Sequence, residues 1–386
     1  MRVSINTPTS SAAATTSASA APSWPAEARL LRWLTLLWLA VGTVMIYSAS
    51  LSVARADIGD SLYFVKRQIA FIVIGYGGFV AIVRWPLHRW FRIAGLLYAI
   101  GLGLVLATHV PGLGMTRLDA TRWLNLGVTT IQPSEFLKPL LVLQAAWVFG
   151  RWYAHPRWYR ALWLTLFAIG LAAILTQPNL GTTAICGITL WLMAGVAGLP
   201  SFALAGTATL GALAAAISIS VKEYQFRRLL AFLNPWKNHQ DIGYQLVQSL
   251  LAIGSGGWWG TGFGLSQQKL SYLPIQYTDF IFAVFAEEFG VIGTLGFLCL
   301  LLAYALAANR VARRSHDIAA RLVASGCTCL LVGQALLNIC VVSGLLPTTG
   351  VPLPMFSYGG SSVLASLATA ALLVRAARET TGKYQS

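Results

Sequence analysis

Long apolar runs alternate with short polar connections along almost the whole chain. Runs of about 17 residues or more can cross a bilayer as helices. They fall at 31–50, 68–84, 92–109, 134–150, 160–176, 181–197, 201–220, 280–306, 319–343 and 361–378. The pattern predicts an all-α, polytopic integral membrane protein with about ten transmembrane helices. Three segments break it, at 110–133, 222–279 and 344–360. The middle one, between the seventh and eighth spans, is far longer than the roughly 12–15 residues beyond which loops usually carry function or are disordered. It holds Trp236, Trp258, Trp259, Tyr244, Tyr272 and Tyr277, and its apolar stretch at 242–253 predicts a helix lying on the membrane surface. Ahead of the first span, residues 1–25 are rich in Ala, Ser, Thr and Pro and contain no acidic residue. Their composition is like that of an organelle transit peptide, but they lack the apolar core of a secretory signal, and they read as a disordered cytoplasmic tail. The expected organisation is a tail over 1–27, a membrane domain over 28–379 with its long loop at 221–279, and a C-terminal cytoplasmic tail over 380–386.

Composition agrees. Hydrophobic residues make up 56% of the 386 and charged residues only 10%, where a soluble domain has about a quarter. The polar residues are too few to cover a soluble surface, so lipid must be the solvent. Cys186, Cys299, Cys327, Cys329 and Cys340 sit in apolar runs and read as packing residues rather than a disulfide or metal set. A net charge of +15 could suggest nucleic acid, but the basic residues flank the spans instead of forming a stripe. Arginines cluster in alternate connections: Arg29 and Arg32, then Arg84, Arg89 and Arg92, then Arg151, Arg157 and Arg160, then Arg310, Arg313, Arg314 and Arg321, and finally Arg375 and Arg378. The positive-inside rule then places both termini in the cytoplasm and the three long polar segments outside.

Candidate chemistry emerges by elimination. There is no Walker loop, no H-E-x-x-H pair and no G-x-S-x-G elbow. Glycines 254, 256, 257, 260, 262 and 264 do not follow G-x-G-x-x-G; they fit either close backbone packing or amides approaching a phosphate. Of the twelve acidic residues, Glu27, Asp317 and Glu379 fall on the cytoplasmic side. Asp57, Asp60, Asp119, Glu223 and Asp241 read as surface charges. Asp279 differs, because it stands where the long loop meets an apolar helix beginning at Phe280. Partial desolvation there would raise its pKa and suit it to general-base work, while an N-cap of the helix is an equally natural and compatible role. Glu287 and Glu288, about two turns further on, must find a cavity or a partner. Arg122, Gln132, Ser134, Glu135 and Lys138 surround Pro133. Ser134 is a plausible cap, and Glu135 and Lys138 are i, i+3 neighbours. They form either a local ion pair or a cationic seat for a lipid-borne diphosphate, with Arg122 arriving from the loop. Lys269, ten residues before Asp279, is either a snorkelling lysine or part of that seat.

Four motifs, in order, carry a resemblance. The first is Thr121-Arg122-Trp123-Leu124-Asn125-Leu126-Gly127 with Gln132-Pro133-Ser134-Glu135-Phe136-Leu137-Lys138, and the second is Gln177-Pro178-Asn179-Leu180-Gly181-Thr182. The third runs from Asn234-Pro235-Trp236 through Gly243-Tyr244-Gln245-Leu246 and Lys269-Leu270 to Thr278-Asp279-Phe280-Ile281-Phe282-Ala283. The fourth is Leu346-Pro347-Thr348-Thr349-Gly350, Pro352-Leu353-Pro354 and Ser357-Tyr358-Gly359-Gly360-Ser361-Ser362. Together they resemble the SEDS (FtsW/RodA) family of peptidoglycan glycosyltransferases, over about Tyr63 to Arg378. The resemblance implies polymerisation of lipid II, an undecaprenyl-diphosphate-linked disaccharide-peptide, outside the cytoplasmic membrane. It also implies a class B penicillin-binding transpeptidase and other division proteins as partners. Asp279 matches the essential aspartate of the family, and Arg122, Glu135 and Lys138 match polar residues of its cavity. Asn179 stands where the family often has Asp, and Ile275 and Tyr277 replace the commoner Glu and His, so these positions add no acid or base. The segment 264–270 is more similar to the FtsW (division) branch than to RodA (elongation), implying a place at the septum.

The expected mechanism is inverting transfer. Asp279 takes the proton of an acceptor hydroxyl, and Arg122, Lys138 and Lys269, or a divalent cation such as Mg or Mn, steady the leaving diphosphate. Gln132 and Glu135 complete the expected substrate-binding set. The rival readings are a lipid-linked precursor transporter, whose ionisable groups usually sit near the midplane, and a scaffold that recruits the transpeptidase.

Overall fold

The computed structural model describes residues 24–117, 120–125, 127, 130–238, 243–269 and 276–382. The expected N-terminal tail up to residue 23, the last four residues, and the positions Asp119, Asp241, Tyr272 and Ile275 lie outside the described residues.

Helices form where the apolar runs predict them. In chain order they are α1 (Ala26–Asp57), α2 (Tyr63–Arg84), α3 (Leu87–Ala107), α4 (Pro133–Gly150), α5 (Arg157–Thr176), α6 (Leu180–Val196) and α7 (Ser201–Val221). They continue as α8 (Glu223–Leu233), α9 (Tyr244–Ser255), α10 (Ile281–Arg314), α11 (Ile318–Thr328), α12 (Gln334–Val342) and α13 (Gly360–Gly382). A π-turn, Cys329–Gly333, joins α11 to α12, so the two cross as one 25-residue helix. Among the described residues eight helices are long and apolar enough to span a membrane. The other two expected spans are α6, of 17 residues, and α4, made more polar by Glu135, Lys138 and Gln144. Pro25, Pro86, Pro156 and Pro200 stand directly before α1, α3, α5 and α7, where a missing N–H costs no helical hydrogen bond.

The all-α frame holds, with one addition. Between α3 and α4, three short antiparallel strands, β1 (Gly114–Arg117), β2 (Ala120–Asn125) and β3 (Thr130–Ile131), pair in the order β1-β2-β3. The long loop is likewise built: it contains α8, a short 3-10 turn at Pro235–Asn238, and α9. The expected surface helix is present as α9, but Leu246, Val247, Ser249 and Ala252 are buried, and α9 lies against α10 and α12.

At the centre, α13 packs on α2, α11, α4 and α1, and α4 packs on α3, α11 and α6. Trp38, Phe285, Phe297 and Phe356 interlock through edge-to-face contacts at 5.0–6.0 Å. By contrast α7 buries only Ser218 and touches mainly α6 and α8. Its apolar surface lies exposed on the outside of the bundle.

The two ends of the bundle differ. At one, Arg314 pairs with Glu27, Arg375 and Arg378 donate to Val83 O at 3.3 and 3.2 Å, and Glu379 accepts from the Leu87 N–H at 2.7 Å. The other end carries the sheet, α8, α9 and the segment that leads into α13.

α10 is broken near this second end. Gly290 has φ 63° and ψ −160° inside the helix, and the turn after α9 fills the break. Thr261 and Gly262 N–H groups donate to Glu287 O and Glu288 O at 2.9 and 3.1 Å, and Val291 and Ile292 N–H groups donate to Gly257 O and Trp258 O at 2.9 and 3.2 Å. A Cβ on Gly256 would lie 2.3 Å from Ala286 O, and one on Gly260 would lie 2.1 Å from Glu288 O. These two glycines serve close backbone packing, the first of the two roles their sequence allows.

Candidate functional site

The loop-rich end gathers most of the candidate residues. Asp279 lies in the turn ahead of α10, half-buried. It is not the helix cap: α10 starts at Ile281 after Phe280, with no side-chain cap bond. Nor is Ser134, since Gln132 holds the cap position of α4 and its Nε2 donates to Ser134 Oγ at 3.3 Å. Gln132 is fixed further by its N–H, which donates to Ser361 Oγ at 3.0 Å.

Among the described residues the Asp279 carboxylate makes no ion pair. Burial pushes its pKa above the usual carboxylate range; Arg228 and then Arg122 pull it down, and Glu135 pushes it up again. The charges that bear on it are therefore two guanidiniums and one carboxylate. Arg228 Nη1 and Asp279 Oδ2 share one hollow beside Gly350, lying 3.8 and 3.4 Å from where a Cβ there would sit. Arg228 stands on α8, donates to Thr348 O at 3.1 Å and lies 4.4 Å from the Tyr224 ring centre. Arg122 is carried by β2 and seats its Nε and Nη2 on Gln177 O and Pro178 O, at the end of α5. Lys222 donates to Leu175 O on the same helix at 2.6 Å. The Arg122 and Lys222 pKa values are both lowered, first by burial and then by a neighbouring cation, Arg228 for Arg122 and Arg122 for Lys222. Positive charge is crowded here.

Glu135 and Lys138 form the expected ion pair, at 1% and 4% exposure. Lys138 Nζ gives all three of its hydrogens away at 2.8 Å, two to Glu135 and one to Gln334 Oε1. The pair is a closed, neutral unit, and an anion could engage Lys138 only by displacing a partner. Asn179, where an acid was the expected residue, caps α6 by accepting the Thr182 N–H at 3.2 Å.

Lys269 stands apart from this group. It is 6% exposed, not snorkelling, and pairs with Glu288 at 3.0 Å while donating to Ser48 at 3.2 Å. Glu287 accepts from Ser266 Oγ and from the Gln267 N–H. Lys269, Glu287 and Glu288 thus fasten the long loop to α1 and α10, and Lys269 is not among the charges that act on Asp279.

Arg228 and Lys222 are the cations of this group that sequence reasoning missed. The signal for Arg228 is the Arg227-Arg228 pair on an amphipathic helix. No three His, Cys, Asp or Glu side chains gather as a metal-ligand set among the described residues. A lone carboxylate facing two arginines is a poor donor set for a resident divalent cation.

Comparison with known proteins gives this arrangement a family. The Cell cycle protein family of FtsW, RodA and SpoVE matches residues 28–382. The protein named "Probable peptidoglycan glycosyltransferase FtsW" in Synechocystis sp. is 51% identical over 356 residues, covering 92% of this chain and 90% of its own. Its namesake in Saccharophagus degradans is 38% identical, covering 87% and 89%. Among solved structures, a chain of a peptidoglycan synthase complex that coordinates polymerization and crosslinking superposes with TM-score 0.75 at 28% identity, covering 94% of this chain and 100% of that one. The rod shape determining protein RodA of Thermus thermophilus superposes with TM-score 0.67 at 27% identity, covering 91% and 96%. The family match over nearly the whole chain and the relatives' identity and coverage together show that this chain belongs to the FtsW/RodA/SpoVE cell cycle protein family.

Proposed function

We infer that the chain is a peptidoglycan glycosyltransferase of the FtsW type, which joins lipid II units into glycan strands at the outer face of the cytoplasmic membrane. One observation carries the reading: a half-buried carboxylate with no ion pair among the described residues, sharing a hollow beside Gly350 with Arg228 and lying within the field of Arg122. Asp279 takes the proton from the acceptor sugar hydroxyl. The freed oxygen attacks the anomeric carbon of the donor, the bond from that carbon to the diphosphate breaks, and the diphosphate leaves with the electron pair. Base and leaving group lie on opposite faces of the sugar, so the configuration inverts.

The electrostatics suit the leaving group. Arg122, Arg228 and Lys222 against Asp279, beside the neutral Glu135–Lys138 pair, leave two positive charges unbalanced among these residues. A diphosphate esterified at both ends carries two negative charges at neutral pH and gains a third as it leaves. Fixed cations stabilise that developing charge without reorganising. Gln132 and Glu135 orient the rim of the site, and Lys138 joins the substrate only by exchanging a partner. A divalent ion, where one takes part, arrives with the diphosphate.

Orientation follows from the arginine-rich end, which belongs in the cytoplasm with both termini. The loop-rich end then faces outward, where the lipid-linked disaccharide is polymerised. The names of the relatives support a division role at the septum, and the solved synthase complex supports a class B transpeptidase as partner. The test is to incubate the purified chain and its transpeptidase with lipid II and resolve the products by size. Glycan strands are the expected product; lipid II left intact by the folded complex would favour a transporter or a scaffold.

A further inference from the structure

Three consecutive carbonyls ahead of α10 are each held by a different donor. Tyr277 O accepts from the Tyr358 N–H at 2.9 Å, Thr278 O from the Ser357 hydroxyl at 2.7 Å, and Asp279 O from the Asn338 side-chain amide at 2.8 Å. The same Asn338 Nδ2 also donates to Val351 O at 2.9 Å. One turn earlier on α12, Gln334 Nε2 donates to Pro352 O at 2.8 Å, while its Oε1 accepts from Lys138. One face of α12 therefore holds the turn that carries Asp279 together with the strand of chain at 351–352.

Asn338 is 1% exposed, and its Oδ1 has no partner among the described residues. Only the donor half of this amide is used. Burying an amide with an idle oxygen costs free energy, and the compensation is a donor for two carbonyls, Val351 O in the interior and Asp279 O at its edge. Leu fills a similar volume but donates nothing, and Ser is too short to reach both carbonyls. The π-turn at Cys329–Gly333 stands immediately before this face. Such turns shift the helix register locally and recur at functional sites.

We propose that Asn338 is a positioning residue for Asp279, setting the carboxylate through the main chain, since among the described residues that carboxylate has no ion pair to hold it. The proposal deepens the glycosyltransferase reading and rests on it. Asn338 touches no reacting atom. It fixes where the base stands relative to the acceptor hydroxyl, and a displacement of about 1 Å in such a group can cost about a hundredfold in rate.

The experiment uses the full chain with its transpeptidase and lipid II, comparing wild type with Asn338→Leu, Asn338→Ser and Ser357→Ala. Ser249→Ala is the control, since Ser249 Oγ donates to Val342 O at 2.7 Å and so anchors α12 without touching the Asp279 turn. Hydrogen exchange is followed in parallel. The expected result for the Asn338 variants is a fall in kcat of up to about a hundredfold with KM held, and faster exchange confined to peptides spanning 276–283 and 347–356. Ser357→Ala should do the same more weakly, and Ser249→Ala should do neither. Wild-type kcat in Asn338→Ser, a rise in KM alone, or exchange that quickens evenly over the bundle would overturn the proposal. The exchange measurement stands without turnover: if wild type makes no glycan, the glycosyltransferase reading fails, while local loosening in Asn338→Ser still decides whether Asn338 holds the turn.

Discussion

At Asp279, burial and two arginines act on the same proton in opposite directions. Burial raises the pKa, and Arg228 and Arg122 restrain it. In the proposed role a base works only when ionised, so the rate should fall as pH drops through this pKa. Arg228→Gln removes the larger restraint, raises the pKa further and should move the acid limb of the kcat–pH profile to higher pH. An unmoved limb would mean that Arg228 does not bear on the base. The Glu135–Lys138 pair makes a prediction of another kind. Lys138→Met leaves a buried carboxylate without its counter-charge, which costs about 3–5 kcal/mol, whereas the double variant Glu135→Gln/Lys138→Met should lose clearly less. Thermal unfolding in detergent measures both, and equal losses would contradict the pairing. Asp279, Arg122, Glu135 and Lys138 were legible in the sequence because charges at an apolar boundary are expensive and few. Arg228 was not. Two adjacent arginines on an amphipathic helix look like surface, and only the fold sends Arg227 out to Glu223 while Arg228 turns toward Asp279. Lys269 was placed in the site for the converse reason: its sequence neighbourhood is the site's, but its ammonium belongs to Glu288.

α10 shows what hydropathy can and cannot record. The apolar run at 280–306 predicted the span, and α10 runs over Ile281–Arg314. The break at Gly290 left no trace in that run, because it is a local backbone departure filled by another segment. The π-turn escaped for the same reason, and the three strands because they are short and set among turn residues. The glycines of the long loop can be told apart by one comparison. Gly260 has φ 81° and its Cβ would strike Glu288 O and C at 2.1 and 2.4 Å, whereas a Cβ on Gly254 meets no heavy atom within 4 Å. Gly260→Ala should therefore lower the melting temperature markedly or prevent folding, and Gly254→Ala should leave it near wild type. Equal tolerance of both would deny that the turn after α9 seals the break. Through this seal, the Glu287 bonds to Ser266 and Gln267 and the Lys269–Glu288 pair, the loop that leads to Asp279 is fastened to the membrane body.

For the molecule as a whole, the arginine-rich and loop-rich ends face opposite sides of the membrane. Trp259, 82% exposed beyond α9, marks one end, and Arg313, exposed at the end of α10, marks the other. With the native cysteines replaced, Trp259→Cys should react with an impermeant thiol reagent in intact cells or spheroplasts, and Arg313→Cys only after the membrane is opened. The reverse pattern would put Asp279 on the wrong side for an extracellular polymerase. The long apolar helices were legible because lipid imposes a length rule on every span. The loose seating of α7 was not, since an apolar helix facing lipid and one facing protein look alike in sequence. What joins these scales is the carboxylate of Asp279, and the most direct measurement is strand synthesis from lipid II by the purified complex carrying Asp279→Asn, with folding and transpeptidase binding checked against wild type. If Asp279 is the base, the folded, assembled variant makes no glycan above background. Strands formed at the wild-type rate would contradict it.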